Sequence, residues 1–224
     1  MTSILLKFYL RHEKAALILG VTGFFLLGYL AIALHTAGGN AHSLATPLDA
    51  ALPYVPEAWP LYHAVYLLLF IPTRLYSRPP EMRRGAAANI ACMTAAYAVF
   101  LLYPVGDASL LNSAGLTEAT ASAGGNFAML FDDRGMNCFP SLHVALATIA
   151  AFCCARADRR LGMFAWTLTG LIAVSSLLLK RHYIVDLPAG FALGAFIYTL
   201  ILRDHLGRIP SAGRMAAASP AAAS

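Results

Sequence analysis

The chain has 224 residues, of which 59% are hydrophobic and 12% charged, against about 25% charged in an average soluble domain. That composition excludes an ordinary soluble domain and fits a helical bundle in a membrane. The net charge of +5 does not signal a nucleic-acid partner, because the basic residues form short clusters between apolar runs rather than one stripe.

In chain order, the first fourteen residues interleave Ile4, Leu5, Phe8 and Tyr9 with Lys7 and Arg11, the pattern of a short interfacial helix at the cytoplasmic face. Ala15–Leu34 is then apolar for twenty residues, longer than the roughly 7–15 of a signal-peptide core. It reads as a first membrane span. Since a span needs about 20 apolar residues, five more are predicted. They are Trp59–Tyr76, which contains His63 and Pro72, then Gly85–Val105, the short Ser141–Cys154, Leu161–Leu179 and Tyr183–Leu202. The predicted fold class is all-α, an integral membrane bundle of six transmembrane helices over residues 15–203, because open strand edges cannot be satisfied in lipid. After Gly207 the chain turns to Ala, Ser, Pro and Gly, and residues 204–224 read as a disordered cytoplasmic tail. Cys92, Cys153 and Cys154 lie in apolar runs and Cys138 in a loop, so no disulfide framework or metal pair is drawn, and all four are expected to be structural thiols.

Basic residues mark topology, because Lys and Arg accumulate in cytoplasmic loops. With both termini inside, the inner segments collect Lys7, Arg11 and Lys14, then Arg74, Arg78, Arg83 and Arg84, then Arg156, Arg159 and Arg160, then Arg203, Arg208 and Arg214. Only Arg134, Lys180 and Arg181 fall outside. All three lie close in sequence to His143 and His182, so the two loops they occupy share the outer face.

The first of these loops ends Cys138-Phe139-Pro140-Ser141-Leu142-His143 as an apolar run begins. Ser141 reads as an N-cap, which leaves the unpaired N–H groups and positive dipole end of a helix facing an anion. His143 in that first turn is placed to deliver a proton to a departing group. The second loop, Lys180-Arg181-His182-Tyr183-Ile184-Val185-Asp186, sets a His and an Asp four apart. The carboxylate holds one imidazole nitrogen and raises the basicity of the other, as a nucleophilic or basic histidine requires. Pro188 suits a first helical turn, so the last helix is expected to start near Asp186, with His182 on the turn before it. Each motif alone has a bland alternative, a capped interfacial histidine or a structural His–Asp pair. Together with the misplaced cations they point to phosphoryl transfer, with Ser141, Lys180, Arg181 and Arg134 as phosphate contacts, His182 attacking phosphorus and His143 protonating the leaving oxygen.

The sequence here resembles the type 2 phosphatidic acid phosphatase superfamily. Its Pro-Ser-Gly-His motif is similar to Pro140-Ser141-Leu142-His143, with Leu142 in place of glycine, and the histidine and aspartate of its third motif fall on His182 and Asp186. The resemblance, over about residues 60–203, implies six spans, a phosphorylated His182 oriented by Asp186, His143 as general acid, and no metal or other cofactor. The family's first motif, a lysine followed after six residues by Arg-Pro, is absent after the third predicted span, where Tyr103-Pro104-Val105-Gly106-Asp107 stands. Arg78-Pro79 lies on the inner face and has Ile71 where the lysine belongs, and the arginine of the third motif falls on Ser176. These departures look more like the branch of inositol phosphorylceramide and sphingomyelin synthases, which pass a phospho-headgroup to a lipid alcohol. The expected substrate is a membrane lipid phosphate or phospholipid, and no nucleic acid.

Remaining polar residues are assigned by default to structure. His63 reads as a packed or interfacial histidine, His35 and His42 as solvated. Asp107, Glu118, Asp132 and Asp133 match no calcium loop. The rival functions are an intramembrane serine protease using Ser141 and a histidine from another helix, and a non-enzymatic transporter or lipid-binding protein.

Overall fold

A computed structural model describes residues 2–36, 41–76, 78–115 and 137–204, without the side chains of residues 2–11 and 33. Among them the fold is all-helical: α1 (Thr2–Thr36), α2 (Pro47–Ala51), α3 (Trp59–Leu75), α4 (Pro79–Leu102), α5 (Ala108–Ser113), α6 (Leu142–Ala157), α7 (Arg159–Leu178) and α8 (Asp186–Ile197), which runs on into a π-turn, Tyr198–Leu202. The N-terminal segment does not form a separate helix but continues into α1.

Three segments are long and apolar enough to cross a membrane: His12–Thr36, Pro79–Leu102 and Arg159–Leu178. The other three predicted spans are shorter helices, with 17 residues in α3 and 16 in α6. The sixth starts at Asp186 rather than Tyr183. The physical reason lies at one end of the bundle, where the chain before α6 and before α8 is engaged in polar contacts that a continuous helix would break.

The core is built around α6, which is buried along most of its length and packs against α3, α4, α7 and α8. Its small residues, Ala145, Ala147, Ala150 and Ala151, let neighbouring backbones approach, the device by which helices associate where lipid removes the hydrophobic drive. On α8 the matching residues are Gly190 and Gly194, four apart. A Cβ at these glycines would collide with the carbonyl oxygens of Ser141 and Ala145. This close crossing brings the start of α8 against the start of α6. A single residue, Asp158, caps the turn between α6 and α7 by accepting from the N–H groups of Arg160 and Leu161, both at 2.9 Å. Helix α1 lies on α4, where the Tyr97 hydroxyl donates to Phe25 O at 2.9 Å.

At the His182 end, isolated β-bridges tie His42 to Val105 and Val105 to Asn137. Three connections far apart in sequence are thus laced together over the mouths of α6 and α8.

Candidate active site

Helix α6 opens with Ser141 as N-cap, its hydroxyl accepting from Val144 N at 3.4 Å. The N–H of Ser141 itself donates to Asp186 O at 3.1 Å, so the starts of α6 and α8 are joined by backbone. Pro188 sits in the first turn of α8, which begins at Asp186 and leaves His182 on the preceding turn, as the proline spacing predicts.

His182 is 3% exposed and held on both sides of its ring. Nδ1 lies 2.9 Å from Cys138 O and 3.2 Å from Asp186 Oδ2. A carbonyl oxygen only accepts, so Nδ1 carries a proton, and in the neutral ring Nε2 presents a lone pair. That lone pair is 3.1 Å from Ser141 Oγ, whose hydroxyl is the donor. Asp186 Oδ2 also accepts from Tyr183 N at 2.8 Å, while the buried Oδ1 has no hydrogen-bond partner. The arrangement makes His182 a poised nucleophile or base with one tautomer and one ring orientation.

His143 enters from the first turn of α6, its ring centroid 6.3 Å from that of His182. It stacks on Tyr62 of α3 at 4.3 Å, and Tyr62 Oη lies 3.3 Å from its Nδ1. Trp59 stands edge-on to Tyr62 on one side and 5.6 Å beneath the Arg181 guanidinium on the other. The sequence motifs place His143, His182 and Asp186 together; they give no sign of Tyr62 or Trp59, which come from a helix with no motif of its own. His63 is packed, as expected, with Nδ1 3.0 Å from Trp59 O.

The basic residues part company. Lys180 ends α7 as the C′ residue of a Schellman motif: its N–H donates to Leu177 O, and that of Arg181 to Ser176 O, both at 3.0 Å. Its φ of 59° is left-handed, where glycine is the usual occupant. The ammonium is buried and donates to Asp49 O at 2.7 Å. Asp49, on α2, also accepts from Ile184 N at 2.7 Å through Oδ1 and from Thr46 N at 2.8 Å through Oδ2. It therefore grips the His182 loop at both ends, and sequence reasoning missed it altogether. Burial pushes the Asp49 carboxyl up, but hydrogen bonds from Thr46 and Ile184 and the nearby Lys180 charge outweigh it and hold the group below the ordinary carboxylate range. Burial lowers the Lys180 ammonium, opposed by Asp49.

Arg181 forms a buried ion pair with Asp107, Nη1 to Oδ2 at 3.1 Å. Next in sequence, Tyr183 is fully buried, with its hydroxyl donating to Gly106 O at 2.6 Å and 2.6 Å from Ser109 Oγ. Arg134 lies outside the described residues. Arg78-Pro79 starts α4, whose 24 residues span about 36 Å and end at the site, so that pair stands at the far end of the helix. Ser176, at the position of the family's arginine, is buried with its hydroxyl on Ala173 O at 2.7 Å.

A family model described as the PAP2 superfamily matches residues 41–200, the stretch that holds every residue of this site. The chain belongs to the PAP2 superfamily. No curated protein and no solved structure matches it. Membership assigns the chain to a group made up generally of phosphatases. Of the two cations in the loop that follows α7, the Lys180 ammonium donates to Asp49 O and the Arg181 guanidinium pairs with Asp107 and faces Trp59.

Proposed function

We propose that this protein is an integral membrane phosphoryl-transfer enzyme that takes phosphate or a phospho-headgroup from a lipid at the outer face, through a phosphohistidine at His182, to water or an alcohol, without metal. The observation that carries the reading is the fixed tautomer of His182. Nε2 attacks phosphorus with its lone pair, the bond to the leaving oxygen breaks, and His143 gives that oxygen its proton. The acceptor hydroxyl then attacks the phosphohistidine, His143 takes the proton back, and His182 departs as neutral imidazole. The Nδ1–H contact to Asp186 offsets the charge on the phosphorylated ring.

Arg181 neutralises the equatorial oxygens, with Ser141 Oγ and the N–H groups at the start of α6 beside it, and Arg134 is a second cation for the same role. Among the described residues, the buried Trp59 indole N–H and Asn137 amide have no partner, and they supply the donors that the missing first motif would have given. Lys180, expected to touch phosphate, is assigned instead to the loop, since the residue is 1% exposed and its ammonium donates to the Asp49 carbonyl oxygen. Six spans with both termini inside rest on the distribution of Lys and Arg, and the helix lengths support membrane residence. The absence of the first motif favours transfer to an alcohol over hydrolysis.

The test is to incubate detergent-purified protein, with EDTA, with a panel of radiolabelled lipid phosphates and phospholipids, with and without alcohol acceptors. Phosphate release or new phospholipid should appear together with acid-labile, base-stable label on His182. Turnover without any such label at His182 would overturn the reading.

One observation favours a second reading. Ser141 Oγ, His182 Nε2, His182 Nδ1 and Asp186 Oδ2 form a relay with steps of 3.1 and 3.2 Å, the order of groups in a serine hydrolase. A fluorophosphonate probe that labels Ser141, with peptide cleavage lost in Ser141→Ala, would establish the protease.

A further inference from the structure

Beneath His143 the bundle holds a partly open cavity of about 380 Å³ between α1, α3, α4 and α6. Its upper wall includes Tyr66 and Leu146, one helical turn below Tyr62 and His143 respectively, so it begins within about 5 Å of the catalytic level. From His63 at that end to Thr73 at the other, α3 advances ten residues, about 15 Å or half the hydrocarbon thickness of a bilayer.

The wall has little to offer water. Leu17, Val21, Phe25, Leu69, Met93 and Ile149 line it, Lys14 and Thr22 stand on its α1 side, and the polar groups of His63, Thr73, Tyr76 and Asn89 are turned onto the protein. Asn89 Nδ2 donates to Gly85 O at 2.8 Å and Thr73 Oγ1 to Phe70 O at 2.6 Å. His63 Nδ1 faces Trp59 O at 3.0 Å, and Tyr76 Oη lies 3.3 Å from Cys153 Sγ. A water molecule needs two to four polar partners, so the natural occupant is apolar. Helix α1 rests on α4 and meets α3 through the edge-on pair Phe25–Tyr66, centroids 6.0 Å apart. The seam between α1 and α3 is thus thin, and Leu19, Leu27 and Leu67 stand exposed on the outer surfaces of these two helices.

We infer that this cavity holds one hydrocarbon chain of the phosphorylated lipid, which enters sideways between α1 and α3 with its phosphate at His182. The inference rests on the phosphoryl-transfer reading above. The volume is at the lower end of the roughly 300–1,000 Å³ of ligand pockets, room for one chain and not for a pair. A second chain, where the lipid has one, stays outside.

The test uses the full wild-type chain in nanodiscs and a long-chain alkyl phosphonate carrying a diazirine at its far end. Cross-links should fall on the cavity wall, at Val21, Leu69 or Met93, and disappear with excess long-chain alkyl phosphate. Labels confined to Leu19, Leu27 and Leu67 and insensitive to competitor would overturn the inference. In parallel, Ala86→Phe, which fills the cavity away from the catalytic groups, should lower kcat/KM for a long-chain alkyl phosphate about tenfold or more and leave butyl phosphate unchanged. Equal effects on both substrates would also overturn it. Labelling of the wall in a protein that neither releases phosphate nor forms new phospholipid refutes the enzymatic reading and keeps the chain site. Turnover of lipid with labels only outside does the reverse.

Discussion

The two histidines of the site are held in opposite ways. His182 has a partner on each ring nitrogen, with Cys138 O and Asp186 on Nδ1 and Ser141 Oγ on Nε2. His143 has its Nδ1 near the Tyr62 hydroxyl and a stacked ring, and among the described residues nothing hydrogen-bonds its Nε2. On the mechanism proposed above, the difference divides labour between groups of the same type. A nucleophile gains from a fixed tautomer and orientation before substrate arrives. An acid that must first donate and later accept a proton gains from a ring nitrogen left open to substrate. As the acid, His143 is an imidazolium whose Nδ1–H faces the Tyr62 oxygen, so the proton it gives away leaves from Nε2 and the ring is left neutral with Nε2 free to take a proton back.

Replacing each group breaks the contrast by a different amount. His182→Ala removes the nucleophile and should lower turnover of a lipid phosphate by about 10⁴-fold or more, with loss of covalent label. A variant that keeps wild-type phosphate release sinks the assignment. His143→Asn should cost about 10²–10⁴-fold with an alkyl leaving group, the range for general acid–base catalysis. With nitrophenyl phosphate, whose leaving group needs no proton, the loss should shrink to a few-fold; equal losses with both substrates would deny His143 the acid role. Asp186→Asn should cost less than loss of a triad aspartate, about 10²-fold rather than 10⁴-fold, because Cys138 O still holds the Nδ1–H and the tautomer survives. A loss as large as that of His182→Ala would show that the carbonyl does not suffice.

The smallest effect is on the support of the loop. Asp49→Asn should destabilise the protein by about 1–3 kcal/mol at neutral pH, the cost of weakening a buried hydrogen-bonded group. Its folded carboxyl is held below the ordinary range, so its contribution is complete above the unfolded value of about 3.9 and is lost as pH falls through the lower folded value. Thermal unfolding of wild type and variant should therefore differ at pH 7 and converge below about pH 4. A constant gap across that range would remove the carboxylate from the explanation.

His143, His182 and Asp186 were legible because each is one element of a short local pattern, read within a few residues of itself. Pro188 fixed the start of α8 by the same local logic. Asp49 was not legible: 131 residues separate it from Lys180, and nothing around Thr46-Pro47-Leu48-Asp49 marks more than a helix cap. Lys180 was misread for a related reason, since a lysine beside a phosphate-site motif looks the same in sequence whether its ammonium meets a ligand or a backbone carbonyl. Asp107, weighed as a cation ligand, is the partner of Arg181.

The sequence by itself determined the helical class, the apolar runs and the short motifs that hold His143, His182 and Asp186, because hydropathy and local spacing act over one or two turns. Tertiary structure alone decided that Ser141 meets His182, that Tyr62 orients His143, that Arg181 leans on Asp107, and that a cavity opens below them. Those contacts depend on Gly190 and Gly194 letting α8 approach α6 closely, and on loops from α2, α4 and α7 meeting at one end. Such approach is a property of packed surfaces, fixed only when every helix has found its neighbour.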